Sequence, residues 1–395
     1  MSKPTHNGRL IGLSLVARLI TDTGSQIFNP FLPFIAKGLN VDAIALGGMV
    51  SLRSAMGILA PFLGTIGDRH GFRNVLIFSL SCCSLGCLLV GSANHWWHAC
   101  LGMAIWGVGT AGFVPTLHAY LGASLAYDVR ARGIGIVEYG WALAGIIGLS
   151  SSAWLITVWN WRAPFFLLSG LMLLMAFVFL RLPKTKRSPI ESVNAVPHRP
   201  SFKSFFQLGS NARSAYAVMI GGSLSFFAAM QIYIAHGFWL DTEYHIGPAA
   251  LGIIALIMGL SDLAGSVSVS LITDRIGKRR SVLIGIYSAL VAYILLPYLN
   301  QGLIFAVIGL ALARTSFEFA IVSNITLLSE QVPEQRGKVM TLGAAFGLVG
   351  LTLASTSGPW LYSAFGIGGL SLISAAFTAM AIFIYHRYTH ERTPN

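Results

Sequence analysis

The sequence predicts an all-α membrane protein with twelve transmembrane helices in two pseudo-symmetric six-helix bundles. Three observations carry this: an apolar composition, twelve long apolar runs, and one charged phrase that occurs in each half. The chain of 395 residues is 55% hydrophobic and only 10% charged, with a mean hydropathy of +0.70. Soluble domains carry about a quarter charged residues, so this composition excludes a large soluble helical protein, which would lack the polar surface to face water.

A helical crossing needs about 20 mostly apolar residues. Twelve runs qualify, at about 11–36, 43–66, 74–92, 97–125, 133–157, 163–182, 214–240, 246–272, 281–299, 302–328, 339–361 and 366–386. Lipid leaves backbone polar groups unsatisfied, so a span is a helix or part of a closed barrel. Barrel strands are about 10 residues long and alternate in polarity. These runs are longer and do not alternate. The first run follows Lys3 and Arg9 but contains Arg18 and Asp22. It is also longer than a secretory leader's apolar core, and no small-residue cleavage site follows. It reads as a permanent span.

The basic residues test the count. With the two termini and the even-numbered gaps on one side, 21 of the 26 Lys and Arg fall there, two fall opposite (Lys37 and Arg162), and three lie inside spans. Such asymmetry predicts that both termini are cytoplasmic, as in a multi-pass protein of a plasma membrane such as the bacterial inner membrane. It also accounts for the net charge of +12 without nucleic acid. The longest polar stretch, 183–213, is rich in Pro and charge and reads as a linker. It separates an N-terminal bundle, 1–182, from a C-terminal bundle, 214–395. Cys82, Cys83, Cys87 and Cys100 lack zinc spacing and histidine partners. No metal or other cofactor is expected.

The repeated phrase is Asp-Arg-x-Gly-x-Arg. It begins at Asp68, between spans two and three, and again at Asp274, between spans eight and nine, 206 positions later. A second echo pairs Arg132 after span four with Arg336 after span ten, 204 positions apart. Two echoes at nearly one offset predict two similar halves in the same orientation. With these motifs the chain resembles a major facilitator superfamily transporter along nearly its whole length. That family's loop signature appears here as Gly64, Asp68, Arg69, Gly71 and Arg73. The second copy is Asp274, Arg275, Gly277 and Arg279, with Ser270 in place of the leading Gly.

The motif glycine admits a backbone turn that a Cβ would obstruct, and the basic residues suit anionic headgroups. The resemblance implies that the Asp caps a helix N-terminus of the other half and pairs with a nearby Arg, with Asp68 and Arg132 as the expected N-half pair. Such a bond would hold only while the cytoplasmic side is closed. The competing reading, that the residues are topology signals alone, accounts for the arginines but not for the Asp.

Ionisable groups at membrane depth are costly and therefore functional candidates. Asp22, Glu318, Asp262 and Glu138, in that order, are the candidate proton carriers. Arg18, Arg53 and Arg314 are the buried cations. In span one Arg18, Asp22, Ser25 or Gln26, Asn29 and Pro33 recur every three or four residues, a polar stripe along one helix face. The stripe reads as a cavity wall, or locally as a self-neutralising Arg18–Asp22 pair. Arg314 and Glu318 repeat that spacing in span ten. Gln26, Asn29, His118, Gln231, His236 and Asn324 are the candidate cavity residues, although a lone His at depth is more often satisfied by packing. Trp96 and Trp97 read as an aromatic belt. Gly343, Gly347 and Gly350 in span eleven, and Gly140, Gly145 and Gly148 in span five, offer close-approach faces.

The expected function is secondary transport of a small molecule by alternating access. No Gly-rich loop of the nucleotide-binding kind is present, so coupling to an ion gradient, most simply protons, is expected. Spans rich in Phe, Trp and Met favour export of an amphipathic compound by a monomer in the lipid bilayer. Proton-coupled uptake of a metabolite, and a membrane sensor or scaffold without turnover, stand as alternatives. Span five lacks the Gly-Pro pair, and span four the Arg (Met103 stands there), that exporters of the resembled family often carry. No hydrolase or metalloprotease motif appears, so an enzyme is not expected.

Overall fold

The computed structural model describes residues 4–183, 206–209 and 211–390, without the side chains of residues 4–6, Pro61, Thr65, Asp68, Arg69, Tyr127, Asp128, Ala131, Asp274, Pro333 and Arg336. Every regular element among the described residues is a helix. Helix α1 (Pro4–Gln26) and helix α2 (Phe28–Leu39) are separated at Ile27. The break has a local cause: Pro30 has no N–H for the carbonyl of Gln26, and Pro33 repeats the defect one turn later. Asn40, left-handed with φ 55°, closes α2 by giving its N–H to the carbonyls of Ala36 and Lys37. The Asp42 carboxylate then accepts from the Ala45 N–H at 2.6 Å and starts α3 (Ala43–Ala55). A 3-10 turn, Met56–Leu59, leads into α4 (Ala60–His70).

There follow α5 (Phe72–Ser92), α6 (Trp96–Ser124), α7 (Tyr127–Leu143), a π segment at Ala144–Leu149, α8 (Ser150–Val158) and α9 (Ala163–Phe179). Most of the expected linker, 183–213, lies outside the described residues; after it come α10 (Ala212–Tyr244), α11 (Pro248–Ile276), α12 (Lys278–Leu299), α13 (Leu303–Leu328) and α14 (Arg336–Tyr388). At 53 residues, α14 would run about 80 Å if straight, far beyond a hydrocarbon core of about 30 Å. It is two helices, broken at Gly366, whose φ of 63° and ψ of −171° are not helical. Nine helices among the described residues are long and apolar enough to cross a membrane. With α14 counted twice, and the interrupted stretches 4–39 and 43–70 as spans one and two, the fold accommodates the twelve expected spans.

The chain divides into two compact units. One holds residues 1–196 and 247–256, the other residues 197–246 and 257–395. In the first, α5 packs on α6 and α9, α1 on α7, and α3 on α6. In the second, α10 packs on α14 and α12 on α13. Small residues set these distances: a Cβ on Gly285 of α12 would lie 2.7 Å from the Cα of Ala320 on α13. In span eleven a Cβ on Gly350 would lie 2.9 Å from the Ser223 carbonyl, and one on Gly343 would strike Leu328. Gly347 has open space, so it is not part of the expected close-approach face.

Candidate functional site

In the first unit Arg18 and Asp22 sit one turn apart on α1 and their side chains meet, Nε to Oδ2 at 2.6 Å. Both are buried, at 7% and 5% exposure. Arg18 Nη2 also lies 3.6 Å from Glu138 Oε2 on α7. The other Glu138 oxygen is 2.6 Å from His118 Nε2 on α6, a close contact with poorly aligned hydrogen-bond geometry that becomes an ion pair only when His118 is protonated. Four ionisable groups from three helices therefore form one row, Asp22–Arg18–Glu138–His118. The row is graded: the Asp22 side chain is 6% exposed and the Glu138 side chain 47%. Gly140 makes room for it, since a Cβ there would lie 2.5 Å from Arg18 Cγ.

Farther along α1, Gln26 Nε2 donates to the Trp141 carbonyl at 3.0 Å, and Asn29 is buried on α2. Arg53 on α3 has no carboxylate partner among the described residues. Its guanidinium donates to the carbonyls of Gly24 at 3.4 Å and Ser25 at 2.9 Å. It lies 5.2 Å and 5.3 Å from the ring centres of Phe28 and Trp106. A cation on the carbonyl end of a helix is favourable, and the aromatic faces add to it. This arrangement ties Arg53 to the break in span one.

In the second unit the sequence spacing suggests Arg314 and Glu318 as a pair on one helix. The structure instead sets Arg314 of α13 against Asp262 of α11: Nη2 donates to Oδ2 at 2.8 Å, and Nε lies 2.6 Å from Oδ1 at ion-pair distance with poorly aligned hydrogen-bond geometry. A charge-assisted hydrogen bond of this kind is roughly twice as strong as a neutral one. Glu318 accepts instead from Ser266 Oγ at 2.9 Å. The Tyr233 ring lies 4.0 Å from the Arg314 guanidinium carbon. Arg314, Tyr233, Tyr293, Met258 and Phe317 line a cavity of about 20 Å³, room for a single water. His236 is buried, stacked on Tyr233 with its Nδ1 on the Tyr233 carbonyl, which is the packing reading of a lone histidine. Gln231 joins Ser357 at 2.9 Å and Ser374 at 3.2 Å, so it bridges α10 to both parts of α14. Asn324 accepts from the Tyr385 hydroxyl.

Of the loop motifs, the side chains of Asp68, Arg69, Asp274 and Arg336 lie outside the described residues, and so does the expected Asp68–Arg132 pair. Arg132 and Arg275 are exposed. The turn-forming glycine of the motif is not Gly64, which lies within α4, but Gly71 and its counterpart Gly277. Their φ angles are 90° and 91°. Arg73 donates to the carbonyls of Leu180 at 3.2 Å and Leu182 at 2.9 Å. Arg279 donates to those of Tyr385 and His386, each at 3.3 Å.

Gly71 and Gly277 thus take one unusual conformation 206 positions apart, once in each unit. The family model of the Major Facilitator Superfamily matches residues 14–317 and 218–395. This chain belongs to the major facilitator superfamily. The transporter is 26% identical over 399 residues to the uncharacterized MFS-type transporter YwfA of Bacillus subtilis, covering 97% of this chain and 94% of that one. It is 23% identical over 420 residues to the multidrug resistance protein MdtG of Proteus mirabilis, covering 99% and 98%. Among solved structures, a D-xylose–proton symporter superposes with a TM-score of 0.75 at 15% identity, over 96% of this chain and 97% of that one.

Sequence reasoning names the ionisable members of both sites but misses their uncharged partners. Tyr233, Ser266 and Trp106 carry no signal beyond residence in an apolar run. Their roles follow from which helices pack together. In the row of the first unit two acids share one arginine, and His118 is a second cation whenever it is protonated.

Proposed function

We propose that this transporter is a proton-coupled carrier that exports an amphipathic small molecule by alternating access. It acts as a monomer in a bacterial inner membrane, with both termini cytoplasmic. The observation that carries the reading is the row Asp22–Arg18–Glu138–His118. Isolated ionised groups are costly in lipid, so the row persists because each charge has an opposite neighbour. A proton delivered to Glu138, the accessible member, weakens its hold on Arg18 and leaves that guanidinium to Asp22. Loss of the proton restores the shared state. Each proton thus changes which acid the arginine serves, and that is a coupling between proton binding and helix arrangement. The name of the Proteus relative, a multidrug resistance protein, and the Phe, Trp and Met content of the spans support export of an amphipathic compound.

Purified transporter in liposomes with an imposed pH gradient tests this, with the lipophilic cation ethidium as the first probe in a panel that also includes neutral and anionic amphipaths. Wild-type protein drives at least one probe against its gradient, toward the compartment that corresponds to the cell exterior. Glu138→Gln and Asp22→Asn each reduce gradient-driven flux by about tenfold or more and retain exchange of labelled for unlabelled probe. Flux that ignores the pH gradient, or variants that keep full driven flux, would sink the proton assignment.

A further inference from the structure

Two motif arginines at matching positions, Arg73 and Arg279, make similar contacts in the two halves. Arg73 is the second residue of α5 and Arg279 the second of α12, and they stand 206 positions apart, as do Gly71 and Gly277. Each glycine turns the chain with φ near 90° and sets the arginine at the start of the following helix. In each case one guanidinium nitrogen bridges two carbonyls at the end of the last helix of its own unit: Leu180 and Leu182 in the first, Tyr385 and His386 in the second. A second tie, of different chemistry in the two units, accompanies each arginine contact. Tyr120 of α6 donates to the Pro183 carbonyl at 2.9 Å, and Asn324 of α13, 204 positions later, takes the hydroxyl of Tyr385. Carbonyls at a helix end have no partner within the helix, and a cation there is favoured. A basic residue present only to set topology or attract lipid has no need to find a pair of helix-end carbonyls in each half.

We propose that Arg73 and Arg279 are positioning residues of the transport cycle, each fastening the motif loop to the last helix of its own bundle so that the two move as one body. The part that concerns transport rests on the carrier function proposed above; the fastening itself does not. The loop then has two kinds of contact: a permanent one through the arginine, made within the bundle, and whatever its acidic residue makes during the cycle. The arginine converts a bundle movement into a loop movement without slack.

Hydrogen exchange on the full-length transporter, read by mass spectrometry, tests the fastening. In Arg73→Met combined with His70→Lys, which keeps a positive charge in the loop, amides in 180–182 and in 64–72 both exchange severalfold faster, and those of 99–113 in α6 do not. In Arg279→Met, where Lys278 and Arg280 retain the basic character, the same holds for 385–388 and 270–278. Unchanged exchange at either end of the tie overturns the proposal. In liposomes with a probe that wild type drives, both variants lower turnover severalfold at unchanged half-saturation. Full turnover with accelerated exchange overturns the positioning role. If wild type drives no probe, the carrier reading fails and the exchange result still decides the fastening.

Discussion

Arg314 and Asp262 are each about 4% exposed and form a buried ion pair held by the Nη2–Oδ2 hydrogen bond. Removing one partner of such a pair strands the other charge, at a cost of about 3–5 kcal/mol, whereas replacing both is far milder. Arg314→Met should therefore lower the thermal stability of the detergent-solubilised protein strongly, and adding Asp262→Asn should restore most of it. A double variant as unstable as the single one would show that the pair is not the unit of stability. His118 is a gentler case. Its partner Glu138 is half exposed and also near Arg18, so His118→Gln should shift the pH dependence of driven flux and leave stability within about 1 kcal/mol, as for exposed ion pairs. The sequence displays Arg18 and Asp22 as neighbours because they share a helix face. It hides the bonds to Glu138 and from Arg314 to Asp262, because those depend on which helices lie side by side, and spacing along one helix carries no such information.

The elements were legible wherever length and apolarity decide them, and least legible where a helix is interrupted. Pro30 and Pro33 are visible in the sequence, yet the break at Ile27 leaves a continuous apolar run, and the element is longer at both ends than 11–36. Spans eleven and twelve were expected to meet between 361 and 366, and the non-helical residue is Gly366. Gly71 and Gly277 carry the clearest element-scale prediction. An L-residue in this extended region at φ near 90° is strained by about 1–3 kcal/mol, so Gly71→Ala and Gly277→Ala should each lower the melting temperature by a few degrees, and Gly64→Ala, inside a helix with open space, should not. At the α12–α13 contact, Gly285→Val must push Ala320 away, an overpacking cost of about 1–3 kcal/mol, measurable in the same assay.

At the scale of the molecule, the duplication was readable because charges are rare here. Only ten per cent of the residues are charged; most of them mark the loops, and the order of the motif charges repeats. The sidedness predicted from Lys and Arg is open to a direct measurement. Cysteines placed at His70 and at Arg280, both exposed positions, should react with a membrane-impermeant maleimide from the same side, above the background of the native cysteines. Labelling from opposite sides would contradict the parallel arrangement of the halves.

The π segment at Ala144–Leu149 has a geometric effect on the helix that carries Glu138. A wider turn holds one extra residue, so every side chain beyond it is rotated by about 100° from where a regular helix would aim it. Ser150 and its successors thus face a direction that the phase of α7 does not foretell. Excising a single residue from this stretch would swing the whole of α8 back by the same angle, like the bit of a key cut on the wrong flank.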